Sequence, residues 1–465
     1  MLPSTLTRSR WWRGTPSVLL PLLLLLGLQA APALAEDIDI YTFGGAQAGA
    51  PNVLFLLDNS ANWSNQSQAW NRSDVLAKCG GDARCQRYVE EVFGTASNLT
   101  QGQVEVRALK LVTRELICAD TTTALSVNIG LMLLSADKGN IDGTDNSWTG
   151  GWLLHAVSDR SRCGSLLAAL DRIDANITAP AYKSSQDASY GGALFDVFKY
   201  FGGNQGPAGR SEPRGITGYG PNRYTGAYNL EDAAAFTDAG KRTYRSPVTE
   251  TCGRNFLVVV GNTFPKLEVE DRSSPVYDKM LKNLGYASTG QVETSPATPS
   301  NKMRYADEWT LFLNGSDVSS LPDRQNVTTY TINVYNERPD EDQRRLLSSM
   351  ARTGGGSYFE VGGDLGALID SIRDIFRRIN AQSTVFASAS LPVSVNTQGT
   401  FLNQVFVGMF RPDPEMRPRW WGNVKQYQLA LDQSGNVFLA DRFNRPAVDN
   451  AVTGFFDACA TSFWS

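Results

Sequence analysis

Apolar residues fall along the chain in two rhythms, and the change between them comes near residue 383. Before that point, short unbroken apolar runs alternate with stretches of helical spacing. The clearest run is residues 52–58 (NVLFLLD). Apolar side chains at every position from Val53 to Leu57, closed by a carboxylate, predict a strand buried on both faces of a parallel sheet. In 103–118, Val106, Leu109, Val112 and Leu116 share one helical face. The same signals predict strands at 126–134, 151–157, 255–260, 328–335 and 357–361, and helices at 166–173, 192–201, 303–313, 340–352 and 365–382. Two segments break the rhythm. Residues 59–102 are rich in Asn, Ser and Gly, residues 202–250 in Gly, Pro, Arg and Tyr, and both read as insertions. The alternation across 52–382 predicts a doubly wound, mostly parallel α/β sheet, with its ligand at the carboxyl ends of the strands. Beyond 383 the period becomes two, in segments such as FLNQVFVGMFRP and VKQYQLAL, and predicts a small antiparallel β unit over 383–465.

The N-terminus changes the picture of compartment. Arg8, Arg10 and Arg13 precede the apolar run VLLPLLLLLGL and the small-residue sequence Ala33-Leu34-Ala35, the arrangement of a secretory signal over 1–35 cleaved after Ala35. A linker, 36–51, follows. The 465-residue chain holds 43 basic and 47 acidic residues; without the three arginines of the signal the net charge is −7. That balance disfavours nucleic acid, and no later stretch is long and apolar enough to predict a membrane span. In an oxidising compartment Cys79, Cys85, Cys118, Cys163, Cys252 and Cys459 can form up to three disulfides, of which Cys79–Cys85 is the easiest local pair.

Candidate chemistry is sparse. The single histidine, His155, excludes a multi-histidine zinc site and lies in an apolar strand as a core residue. No convincing nucleophile and base pair emerges, so the chain does not read as an enzyme. In DKGNIDGTDN, setting Gly143 at the sixth position of a calcium loop puts Lys138 first and Thr149 twelfth, which excludes that motif. The run RDIFRR, 373–378, reads as the solvated face of a helix. One constellation stands out. The first strand ends in Asp58-Asn59-Ser60-Ala61-Asn62, a carboxylate and two short oxygen-bearing side chains at alternate positions of a tight loop, a donor set that suits a hard cation such as Mg²⁺. The local alternative is that Asp58 and Ser60 cap the following turn.

This D-x-S-x-N resembles the metal-ion-dependent adhesion site of the von Willebrand factor A fold. The resemblance implies a distant Thr ligand, for which Ser189 is the candidate before GGALFDVFKYF, and an Asp where NFLVVVGNTFP carries Asn262. Asp58, Ser60, Asn62, Ser189 and Asn262 therefore form a charge-depleted version of the site, with weakened or absent binding of Mg²⁺ or Ca²⁺ expected.

Further along, ADEWTLFL, VTTYTINVY, MARTGGGSYFEV, DLGALIDSIRDIFRRINAQSTVFASASLPVS and above all VFVGMFRPDPEMRPRWWGNVKQYQLAL resemble the PilY family of type IV pilus tip-associated proteins. The closing TSFWS resembles the point where that family passes from its A domain into a β-propeller. The resemblance implies export through the periplasm to the cell surface, roles in pilus assembly, twitching motility, adhesion and surface sensing, and minor pilins, other tip proteins and host or abiotic surfaces as partners. A generic cell-envelope A-domain module unrelated to pili is the alternative, and a secreted metal-dependent hydrolase using Asp58 a more distant one.

Overall fold

The computed structural model describes residues 50–66, 69–119, 124–134, 151–179, 182–183, 190–203, 230–239, 241, 243–262, 306–322, 324–335, 340–383, 386–388, 404–411, 421–432, 434–448 and 460–463. The signal segment, most of the linker, the 137–146 turn and Ser189 lie outside the described residues.

The chain opens with β1 (Asn52–Leu57). Short strands β2 (Trp70–Asn71) and β3 (Asn98–Leu99) then bracket α1 (Arg72–Lys78) and α2 (Ala83–Phe93). Next come α3 (Gln101–Leu116), β4 (Asn128–Leu134), β5 (Gly151–Ser158), α4 (Cys163–Ala175) and α5 (Tyr190–Gly202). The remainder of the layer is β6 (Asn255–Gly261), α6 (Ala306–Gly315), β7 (Val327–Val334), α7 (Glu341–Thr353), β8 (Gly355–Gly362) and α8 (Leu365–Ser383). The six long strands form one sheet in the order β5-β4-β1-β6-β7-β8. Every pairing is parallel except β4 with β5. This is the expected doubly wound, mostly parallel α/β sheet.

Burial on both faces explains why β1 is apolar from Val53 to Leu57. Val53, Phe55 and Leu57 face a core shared with α3, α4 and α8, while Leu54 and Leu56 face a second core shared with α5, α6 and α7. The chain leaves β1 for β4 on one side and returns to β6 on the other, so the strand order reverses between β1 and β6. A crevice at the carboxyl ends of those two strands is where a ligand of an open α/β sheet belongs.

Three segments differ from the reading of the sequence alone. Residues 59–102 carry α1 and α2, and bury Trp63, Trp70, Tyr88, Val89, Val92 and Phe93 in the first core. Their polar composition masks the few apolar residues that decide the packing. Part of 202–250 also packs inward, where Phe236 stacks on Tyr244 with centroids 5.3 Å apart and both join the second core. Third, RDIFRR is not a solvated face. Arg373 pairs with Glu115 and lies over the Tyr88 ring, while Arg378 pairs with Asp374 at 2.7 Å and lies over Phe359.

The Cys79–Cys85 disulfide is present, joining the end of α1 to the start of α2. A second bridge, Cys118–Cys163, links the end of α3 to the start of α4, and Cys252 is also disulfide-bonded. His155 is a core residue, its ring set between the Ile129 carbonyl (3.3 Å) and the Ser165 hydroxyl (2.8 Å). Burial pushes its imidazole below the ordinary value, and the nearby Arg162 charge adds to this.

The antiparallel unit consists of β9 (Phe386–Ser388), β10 (Gln404–Arg411), β11 (Trp421–Leu431) and β12 (Val437–Ala440), ordered β12-β11-β10-β9. Val405, Val407, Tyr427 and Ala447 make its own small core. Among the described residues no helix is long and apolar enough to cross a membrane.

Candidate functional site

The carboxyl end of β1 runs into a buried polar cluster. Asp58 and Ser60 are fully enclosed, and Ser60 stands just before a 3₁₀ turn, Ala61–Ser64. A serine there ordinarily caps the turn with its side chain. Here the hydroxyl turns back instead, and Asp58 Oδ1 accepts from both the Ser60 amide (3.0 Å) and the Ser60 hydroxyl (2.5 Å). The loop is held down by Trp63, whose ring packs so closely on Gly102 in the first turn of α3 that a Cβ there would overlap it.

Asp58 Oδ2 accepts from the Tyr190 hydroxyl at 2.7 Å and from the Asn262 amide at 3.1 Å. Tyr190 opens α5, and its oxygen accepts in turn from Gln343 Nε2 (2.9 Å) near the start of α7. Asn262 follows β6; its Nδ2 donates to the Ser60 carbonyl, and its Oδ1 accepts from Gln101 Nε2 at 2.8 Å. Gln101 Nε2, in the first turn of α3, also lies within hydrogen-bond distance of the Val334 carbonyl (2.9 Å) and Glu105 Oε1 (3.0 Å), so that three acceptors share its two hydrogens. The cluster thus ties the ends of β1, β6 and β7 to the starts of α3, α5 and α7. The positive ends of these three helix dipoles face it and favour a carboxylate there.

Burial pushes the Asp58 carboxyl up, against the pull of its bonds from Ser60, Tyr190 and Asn262. Burial drives Glu105 well above the usual carboxylate range; Gln101 pulls the other way and the Asp58 charge adds to the rise. Tyr190 is raised well above an ordinary phenol by burial and by the Asp58 charge.

Of the residues expected at a cation site, Asp58, Ser60 and Asn262 are brought together. Asn62 lies half-buried on the 3₁₀ turn, its carbonyl accepting from the Asn65 amide, and Ser189 falls outside the described residues. A divalent ion needs lone pairs converging on it. The oxygens of Asp58 instead each face two donor hydrogens, and Asn262 presents its amino end and no charge. Among the described residues no three His, Cys, Asp or Glu stand together in a metal-holding group. Among the described residues, the donor set at this strand end does not fit a divalent cation. The buried acceptors without a protein partner, Gln101 Oε1, Glu105 Oε2 and Gln343 Oε1, suit buried water.

No family model matches the chain. No curated protein matches it either. Among solved structures it is similar to the PilB minor pilin from Streptococcus sanguinis, at 12% identity and a TM-score of 0.32, covering 74% of this chain and 63% of that one. It is also similar to a von Willebrand factor type A protein from Catenulispora acidiphila (9%, 0.29, covering 84% and 64%) and to the human COPII-coat protein Sec24c (8%, 0.31, covering 81% and 43%). The chain spans less than two thirds of the length of each. At these scores the likeness carries no argument about function.

Sequence reasoning missed Tyr190, Gln101, Glu105 and Gln343. A signal for the middle pair existed. Gln101 and Glu105 lie four apart at the start of a helix that is otherwise apolar on its inner face, a spacing that puts both side chains on one side. A second concavity, of about 250 Å³, lies between α2, α3 and α4, but its charges are already paired as Arg107–Asp174 (3.0 Å), Lys110–Asp171 and Arg114–Glu91 (2.5 Å).

Proposed function

We propose that this chain is an exported, pilus-associated binding protein of the PilY type, reaching the cell surface through the periplasm and acting in pilus assembly, twitching motility and adhesion rather than catalysis. The observation that carries the reading is a combination. An A-type sheet presents a D-x-S strand end at its topological switch point, and the same chain carries, on β10 and β11, the VFVGMFR and WGNVKQYQLAL segments that resemble that family. Minor pilins or other tip proteins are the proposed partners, with host or abiotic surfaces beyond them. The signal-like N-terminus and the disulfides are in keeping with an oxidising compartment.

An in-frame deletion tests the reading. Loss of surface pili, or of twitching and attachment, restored by the wild-type gene in trans, is expected. Normal piliation, motility and attachment in the deletion strain would overturn it. Normal piliation with an envelope partner recovered by cross-linking would favour the generic A-domain module.

A further inference from the structure

We propose that Tyr190 and Asn262 take over the work of the divalent cation in this A-type strand end, so that the loop after β1 is locked to its neighbours by hydrogen bonds and the domain is independent of metal. The inference uses the fold and the cluster, and does not need the pilus reading.

In a cation site the ion joins the loop after the first strand to segments from elsewhere in the sheet. Here those connections exist without one. Tyr190 links α5 to Asp58, and Asn262 links the end of β6 to Asp58 through its amide and to the Ser60 carbonyl through its side chain. The direction of each bond is fixed by groups that cannot turn round. Gln101 Nε2 faces the Val334 carbonyl, so it must be the amino end, and Asn262 must meet it with Oδ1. Flipping Asn262 would set amino against amino at Gln101 and carbonyl against carbonyl at Ser60. The amide that could have been a ligand is therefore held donor-inward by two backbone carbonyls. Tyr190 is constrained likewise. An ionised carboxylate only accepts, so the phenolic hydrogen points at Asp58, leaving the oxygen to accept from Gln343.

The same geometry explains why an amide at 262 suits this hydrogen-bonded loop. A carboxylate there would lose the bond to the Ser60 carbonyl and add a third acid to a buried site already holding Asp58 and Glu105. Such a site would call for a cation; the one present does not.

The test is thermal unfolding of the purified mature chain in chelator and in millimolar Mg²⁺, Mn²⁺ or Ca²⁺, with Mn²⁺ calorimetry on the wild type. Equal melting temperatures in every condition and no Mn²⁺ binding heat are expected. Tyr190→Phe should lower Tm by roughly 2–4 °C whether or not metal is present, as expected for losing one hydrogen bond to a charged group in a domain of this size. Asn262→Asp should melt lower than wild type in chelator and recover in part with Mg²⁺. A wild-type Tm that rises by several degrees with Mg²⁺ or Mn²⁺, and loses that rise in Asp58→Ala, would overturn the proposal. So would a Tyr190→Phe or Asn262→Asp protein as stable as wild type in chelator. The wild-type titration decides the matter even if neither variant folds.

Discussion

Among the described residues, two strands end in a buried carboxylate, and the pair behave differently. Asp58 closes β1 and Asp441 follows β12, both with no exposed surface. Asp441 is also encircled by donors. Its Oδ1 accepts from the amides of Phe443 (2.8 Å) and Arg445 (2.9 Å), its Oδ2 from the Thr461 amide (3.2 Å) and from Arg445 Nε (3.0 Å) and Nη2 (2.9 Å). Burial works against ionisation at both. At Asp441 the backbone amides of Arg445 and Thr461, with the Arg445 side chain after them, outweigh burial and hold the carboxyl below its ordinary range; at Asp58 burial outweighs the bonds from Ser60, Tyr190 and Asn262 and pushes it up. A ring of donors thus lowers a carboxyl only where it outweighs the cost of burying the charge.

The largest break in this comparison is Asp58→Ala. It strands four donors in a sealed cluster spanning three strands, and should cost about 3–5 kcal/mol in denaturant unfolding of the whole α/β domain. Asp441→Ala should cost less, about 2–3 kcal/mol, because Arg445 is 39% exposed and can be rehydrated. Its loss should be local: hydrogen exchange should speed up in β10, β11 and β12 while β1 and β6 stay protected. Equal loss of protection in both sheets would show that the two are one cooperative unit.

Acid should act smaller still, in two windows. His155 has a lowered folded pKa, so its contribution is complete above 6.5 and is lost as pH falls below that value. Asp441 is likewise depressed, with stability present above 3.8 and lost as pH falls further. A Tm–pH profile in which His155→Gln removes the upper decline, and Asp441→Asn alters only the lower, would separate them. The smallest effect is expected at Leu431 and Val437, which face each other across the β11–β12 hairpin, each 66% exposed. Serine at either should change stability by no more than about 0.5 kcal/mol.

The sheet was legible because its signal is redundant. Five successive apolar residues in β1, Val53 to Leu57, satisfy two cores at once. The change of period near 383 likewise announced β10 and β11. Long-range pairing was not legible in the same way. Asp58 and Ser60 are neighbours in sequence, but Tyr190 and Gln343 lie 132 and 153 residues farther along in succession, and nothing local to either announces a hydrogen bond. Nor did polar composition reveal α2, whose Tyr88, Val89, Val92 and Phe93 form a narrow stripe amid charged neighbours.

The Cys118–Cys163 bridge gives the edge of the large sheet an additional property. It closes a covalent ring between cysteines 45 residues apart in sequence, and that ring contains both β4 and β5, the strands farthest out on that side. A single proteolytic cut between the two cysteines would open the ring without freeing either fragment. The nicked protein would migrate as one species until reduced, and the severed strands would remain tethered beside their places in the sheet.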